Sequence, residues 1–493
     1  MDLIAEYAYV LTEGSQKNLE LSLPKRTKMR KLYDLVVHEK VDDQTAAKIL
    51  YKTKPSDKRY LMLKRNLSQK LAEVFILNSL QKQERVNYLD IQAELTAQLV
   101  VASRFLDRNV FHNADKILRK TLAKAEKYSL LGTEVQVLLK LREMYSMQGF
   151  PDKCQEVISL LQSKMQQYML LQEIEGMEQL LDSKVKFSTH KTKDMLNLCE
   201  DCVARAEEIA AQYDNPFIRL ILYYLQAMRA YVNNRFDEYG ARIDDLEELF
   251  KNESFVFSNI RLLRLYFHHA QYYRSLRKVE EAIGYAKWSL ELTEYKAYNR
   301  FDVQFLLTDL ALKKRAQTEA LSICEEVMQV EQYAFLHAVD QAKWLVYFYY
   351  AQLDWIVNHP GAANYAMEGV EEIFHKRFPA RRDKHGRNIQ VLILKPFVEI
   401  FQQGTDYDLI NIAHNMQVYR HRHLKDISEV RTMAFYDLLI EACLMNFDLS
   451  YRQQIVNRFA EMVEDYQYFD ELEVIPYDKL LAMGFDLAAK VSG

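Results

Sequence analysis

Tyr266-Phe267-His268-His269-Ala270-Gln271-Tyr272-Tyr273-Arg274-Ser275-Leu276-Arg277-Lys278-Val279-Glu280-Glu281-Ala282-Ile283-Gly284-Tyr285-Ala286-Lys287-Trp288-Ser289-Leu290 is the stretch that decides the fold class. Ala270 and Tyr273 are three apart and share one face of a helix. A short polar turn follows. Ala282 and Ala286, four apart, then open a second amphipathic helix. Two helices joined this closely run antiparallel. A bulky ring late in the first meets a small side chain early in the second, and the small side chain lets the two helices approach.

The same rule, an aromatic or apolar anchor nine positions before a small residue, recurs along the chain. Phe105 precedes Ala114, Tyr145 precedes Cys154 and Tyr231 precedes Gly240. Tyr273 precedes Ala282, Ala311 precedes Ala320 and Leu353 precedes Ala362. The anchors step by about 40 residues, apart from one double interval between 145 and 231. Phe187 falls inside that interval, but its partner is Leu196, so this unit is irregular. The mean step is about 41 residues, and a fixed period of this size is the mark of a helical array.

The pattern resembles the tetratricopeptide family over roughly residues 96–375, with helices or loops longer than the usual 34-residue unit allows. The resemblance implies an all-α fold, a right-handed superhelical array of antiparallel helix pairs. Stacked neighbours would bury a continuous core that no single pair can form alone. It also implies a concave groove lined by the first helix of each unit. Carried onto the anchors, the groove positions around Tyr231 include Arg229 and Asn233. Around Tyr273 they are Arg264, Phe267, Gln271 and Arg274; around Leu353 they include Trp344, Tyr347 and Trp355. Arginine and aromatic side chains dominate binding hot spots, so a protein or peptide partner is expected there.

Composition agrees with long helices. The 493 residues hold only 12 glycines and 8 prolines, where average usage would give about 35 and 25. All-β and nucleotide-binding α/β folds need more turn formers. Collagen-like and low-complexity chains are excluded, and 49% apolar with 27% charged residues is a globular balance. The net charge of −4 is unevenly spread. Residues 24–70 hold fourteen Lys and Arg against Asp34, Glu39, Asp42, Asp43 and Asp57, a basic segment on an acidic body.

That segment belongs to a first domain, residues 1–95, ahead of the repeats at 96–375 and a helical tail at 376–493. Residues 25–40 predict a basic helix with Leu32, Leu35 and Val36 as its stripe. Asp42-Asp43 caps a second helix through Ala46, Ala47, Ile49 and Leu50. Lys52–Asp57 is a turn, with Ser56 or Asp57 capping a long third helix. Tyr60, Leu63, Leu67, Leu71, Val74 and Phe75 form its inner face; Lys58, Arg59, Lys64, Arg65 and Lys70 form its outer one. The order over residues 24–77 fits a helix-turn-helix unit whose basic residues contact nucleic acid, or a cap whose basic face is solvated. Beyond the basic, turn-rich loop at 376–388, helical patterns resume around 391–402, 434–445 and 451–466, as further repeats or as a cap.

No pattern supports catalysis. There is no phosphate-cradling glycine loop, no GxSxG and no HExxH, and the chain calls for no cofactor and no metal. Cys199 and Cys202 have CxxC spacing but no second pair, so they are expected to fill a helix interface. His421 and His423 point to different helix faces, as do His268 and His269. Glu280-Glu281, Glu325-Glu326 and Glu371-Glu372 are expected to be solvated helix faces. Five scattered cysteines suit a reducing compartment. The first residues lack a signal-peptide pattern, and no apolar run approaches ~18 residues. A cytoplasmic protein with no membrane span is expected. Its expected role is that of a non-enzymatic scaffold or adaptor; the alternative is a transcriptional regulator joining a helix-turn-helix-like segment to a helical-repeat sensor.

Overall fold

The computed structural model describes residues 4, 23, 26–79, 88–187, 193–253, 258–293, 298–359, 387–403, 409–424, 430–466 and 468–492. Among them there is no strand, and the chain is all-α. It divides into two compact units, residues 1–168 with 254–258, and residues 169–253 with 259–493.

The first unit opens with α1 (Lys28–Val37), α2 (Asp43–Tyr51) and α3 (Lys58–Ser79). The second and third starts carry the predicted kind of cap, and the first is capped by Thr27. Thr27 Oγ1 accepts from the Arg30 amide at 3.2 Å, Asp42 Oδ1 from Thr45 at 2.8 Å and Asp57 Oδ1 from Arg59 at 2.8 Å. Leu32, Leu35, Val36, Ala46, Ala47, Tyr60, Leu67, Leu71 and Val74 are buried in one core. Ile49 is 56% exposed and lies outside that core. The unit continues with α4 (Tyr88–Leu106), α5 (Phe111–Lys127), α6 (Leu131–Met147) and the start of α7 (Pro151–Phe187).

The second unit takes up the rest of α7. It then runs through α8 (Lys193–Gln212), α9 (Pro216–Val232), α10 (Phe236–Asn252), α11 (Asn259–Ser275) and α12 (Val279–Glu291). After these come α13 (Tyr298–Lys314), α14 (Gln317–Gln329) and α15 (Ala338–Asn358). From α8 to α15 each helix packs on the next, the sequential pairing of a helical-repeat array. The remaining α-helices among the described residues are α16 (Arg387–Gln403), α17 (Ile410–His423), α18 (Val430–Leu444), α19 (Arg452–Met462) and α20 (Tyr477–Ser492). Here the order changes, because α20 turns back onto α15, α16, α18 and α19.

One turn explains the nine-residue rule. A carbonyl in the last turn of a helix accepts from the amide five residues on, and the residue between, at +4, has positive φ. This occurs at Phe105, Ala125, Tyr145, Ala230, Tyr273, Ala311 and Ala442, with N···O distances of 2.8–3.0 Å. The +4 residues are Asn109, Ser129, Gly149, Asn234, Arg277, Arg315 and Asn446, with φ from 51° to 70°. In the first six, the +5 residue caps the next helix. Position +9 is then among the first residues whose amide bonds within that helix. Only one of these left-handed positions is glycine, which is how hairpins this numerous coexist with so few glycines.

The rule's anchors are met with two corrections. Ala114, Ala282 and Ala320 are fully buried beside the anchors that precede them. At the fourth unit the turn starts from Ala230, so Tyr239, not Gly240, stands nine residues on. Gly240 is small for another reason. A Cβ there would lie 2.5 Å from Tyr272 Cζ and 2.6 Å from its hydroxyl, on α11. Gly240→Ala is expected to destabilise by about 1–3 kcal/mol through overpacking. In a Tyr272→Ala background the same change is expected to stabilise, since alanine is the better helix former by ~1 kcal/mol. Urea midpoints of the four variants check this. The second correction lies between residues 145 and 231, where α7 runs unbroken for 37 residues, so two helices of adjacent repeats are fused. Ala362 and Glu371-Glu372 fall outside the described residues.

Candidate interaction site

The helix ends of the second unit converge on buried charge. Asp309, on α13, is 2% exposed, yet it accepts from three side chains. Arg274 Nε on α11 reaches its Oδ2 at 2.5 Å, Lys313 Nζ its Oδ1 at 2.8 Å and Tyr347 OH its Oδ1 at 3.1 Å. Burial alone would raise the Asp309 carboxyl, but the Arg274 and Lys313 charges hold it below the usual carboxylate range. Burial pulls the Lys313 ammonium down to about 8, against the Asp309 charge.

Against these helix ends lies the chain's own segment 468–476, ahead of α20. The Phe469 amide donates to the Ser275 carbonyl at 3.2 Å. Lys313 Nζ donates to the Glu473 carbonyl, and Gln390 Nε2 to the Leu472 carbonyl at 3.3 Å. Glu473 is fully buried and takes both arms of Arg431, each at 3.0 Å, and the Tyr477 amide at 3.0 Å. The Thr432 amide donates to Asp470 Oδ2 at 2.6 Å. The guanidinium of Arg277 sits 4.7 Å from the Phe469 ring centroid, and Lys313 Nζ sits 5.2 Å from it. The apolar side chains Phe469, Leu472, Val474 and Ile475 fill the space between. A strongly acidic, aromatic stretch is therefore bound through main chain, carboxylates and rings together.

The nine groove residues fall into two groups. Arg229 pairs with Glu238 at 2.6 Å, and Arg264 with Asp182 at 2.6 Å and with Glu178. Arg264 also lies 4.4 Å from the Tyr224 ring centroid. Arg274 is held by Asp309, and Trp344 and Tyr347 pack on Phe305 with centroids 5.5 and 4.2 Å away. Trp344 and Tyr347 are 2% and 3% exposed, so neither faces solvent. Asn233, Phe267, Gln271 and Trp355 keep part of their surface. Glu473, Asp470 and Arg431 were missed. Their signal was a run of acids at 470–473 set directly against Leu472, Val474 and Ile475, because carboxylates within an apolar run need buried partners.

His268 marks a second, half-buried junction, between α9, α10 and α11. Its Nδ1 stands 2.8 Å from Tyr239 OH, and its ring lies 5.6 Å from that of Tyr224. Burial, and then the Arg264 charge, lower its pKa to about 3 from 6.5. A folded value below the unfolded one contributes stability that is complete above pH 6.5 and lost as pH falls toward 3. Wild type is expected to lose on the order of 2–3 kcal/mol more than His268→Gln between pH 7 and pH 4. Urea unfolding at the two pH values measures the difference.

On the first unit, the predicted nucleic-acid contacts divide likewise. Lys64 pairs with Asp43 at 2.8 Å and Arg59 with Asp57 at 3.1 Å, while Lys58 and Arg65 are exposed. Lys70 is half-buried. Cys199 and Cys202 are buried in α8, where burial pushes the Cys199 thiol up to about 11. Among the described residues no cluster of three or more His, Cys, Asp or Glu could hold a metal ion. None of the helices described is long and apolar enough to cross a membrane. No protein-family model matches the sequence, and a search of curated proteins finds no match.

Proposed function

We propose that this chain is a non-enzymatic, tetratricopeptide-like scaffold or adaptor of the cytoplasm that binds a protein or peptide partner. One observation carries the reading: the array's helix ends hold an acidic, turn-containing segment through side chains, main chain and rings. Here the segment is the chain's own, and the same chemistry serves a partner peptide along the neighbouring surface. Asn233, Phe267, Gln271 and Trp355 are the groove residues offered to that partner. Arg229, Arg264, Arg274, Trp344 and Tyr347 shape the array beneath it. The immobilised full chain should capture a stoichiometric protein from an extract of its own cells. Gln271→Glu should weaken that capture at least tenfold while the melting temperature stays within about 2 °C; Trp355→Ala should weaken it too, at some cost in stability because Trp355 packs partly on the core. Capture unchanged by both substitutions would reject this surface, and retention of no stoichiometric protein would reject the role.

A second reading rests on the α2–turn–α3 geometry. Lys48, Lys52, Lys54, Lys58 and Arg65 are all exposed along it. We propose that this face, with Arg59, Lys64 and Lys70 behind it, touches nucleic-acid phosphates in the regulator alternative. A gel shift by the full chain that weakens steeply with salt supports it. No shift at low salt rejects it.

A further inference from the structure

We propose that a cavity between α9, α11 and residues 465–466 and 468–471 is a binding site for an organic cation, a guanidinium or quaternary ammonium group. The cavity measures about 150 Å³. A protein cavity of that size accepts a guest as large as benzene. Five rings line it: Tyr231, Phe236, Tyr466, Tyr468 and Phe469. Three acidic residues, Asp465, Asp470 and Glu471, also line it, with Asp470 already accepting from the Thr432 amide, and the one cationic residue in the lining, Arg274, is bound to Asp309. Asp465 and Glu471 are exposed and make no ion pair with a described residue.

The lining selects charge and type. An anion meets the charges of Asp465 and Glu471 and aromatic rings whose faces carry negative quadrupole charge. A small metal ion finds no converging ligand set, since no cluster able to hold one exists among the described residues. A soft, weakly hydrated organic cation gains from both rings and carboxylates, and it leaves water at low cost. The wall is firm, because Phe236 and Tyr468 pack with centroids 4.6 Å apart. The molecule already uses this chemistry next door, where Arg277 and Lys313 flank the Phe469 ring.

The test uses the full chain and four probes: tetramethylammonium, methylguanidinium, N-acetyl-trimethyllysine methylamide and N-acetyl-arginine methylamide. Saturation-transfer NMR against matched sodium chloride reads binding. At least one probe should bind saturably. Asp465→Lys with Glu471→Lys should weaken it at least tenfold; both positions are exposed, so the fold is retained. Tyr466→Ala should do the same, and the charge-reversal pair decides the matter if that variant unfolds. Probes with flanking amides binding at least tenfold tighter than the free ions assign the cation to a partner's side chain. Equal binding assigns it to a small molecule. No saturable binding by any of the four, or binding unchanged by the charge reversal, overturns the proposal. The site stands independently of the scaffold reading, because a small-molecule ligand needs no partner protein.

Discussion

Asp309→Asn is expected to cost about 3–5 kcal/mol of folding free energy, the usual effect of removing one partner from a buried ion pair. For a unit of this size that lowers the melting temperature by about 4–8 °C. The reason lies in what is left behind. Arg274 is 8% exposed and Lys313 is 5% exposed, and both lose their carboxylate. The neutral amide still offers an oxygen to Tyr347, so the loss reports charge and not shape. Replacing the group together, as Arg274→Met, Asp309→Leu, Lys313→Met and Tyr347→Phe, should cost much less, because no charge is then stranded. A melt followed by circular dichroism distinguishes the two. Equal losses in both variants would show that packing, not charge, makes the difference.

Glu473→Gln should be of similar size, about 3–5 kcal/mol, because Arg431 is 2% exposed and has both arms on this one carboxylate. It should also have a consequence that Asp309→Asn lacks. Glu473 anchors its own segment by accepting the Tyr477 amide as well. Its loss should free residues 468–476 locally before the helices melt, since a loop opens at a smaller free energy than the core. Limited proteolysis should therefore cut the variant within 468–476 at temperatures where wild type resists. Cleavage elsewhere first would show that the segment is not what Glu473 holds.

How much of this was legible in the sequence follows from which interactions are local. The hairpins were readable because their turn is a local object: anchor carbonyl, left-handed residue and cap all lie within six positions. The register slipped at Tyr231 because an aromatic neighbour of Ala230 mimicked the anchor, and the turn itself leaves no fixed residue type at +4. Asn, Ser, Gly and Arg all occupy it. The caps of α2 and α3 were readable for the same local reason.

The site was much less legible, because charge partners are distant along the chain. Arg264 looked like a free groove cation until Asp182 and Glu178, more than eighty residues earlier, were brought to it. Arg274 reads as a groove position open to a partner, and the chain itself supplies its acid at Asp309. Trp344 and Tyr347 look alike on a concave face and in a core; only the neighbouring Phe305 separates the two cases. Nor could any local pattern show that α20 returns to α15 and α16, which is what draws segment 468–476 across the helix ends.

Hydrogen exchange at single-residue resolution tests the central claim most directly, since the array is held to grip its own acidic segment. The amides of Phe469, Thr432 and Tyr477, bonded to Ser275, Asp470 and Glu473, should exchange as slowly as those of the flanking helices α18 and α20. Exchange of these three at the rate of an open loop, with the helices still protected, would contradict it.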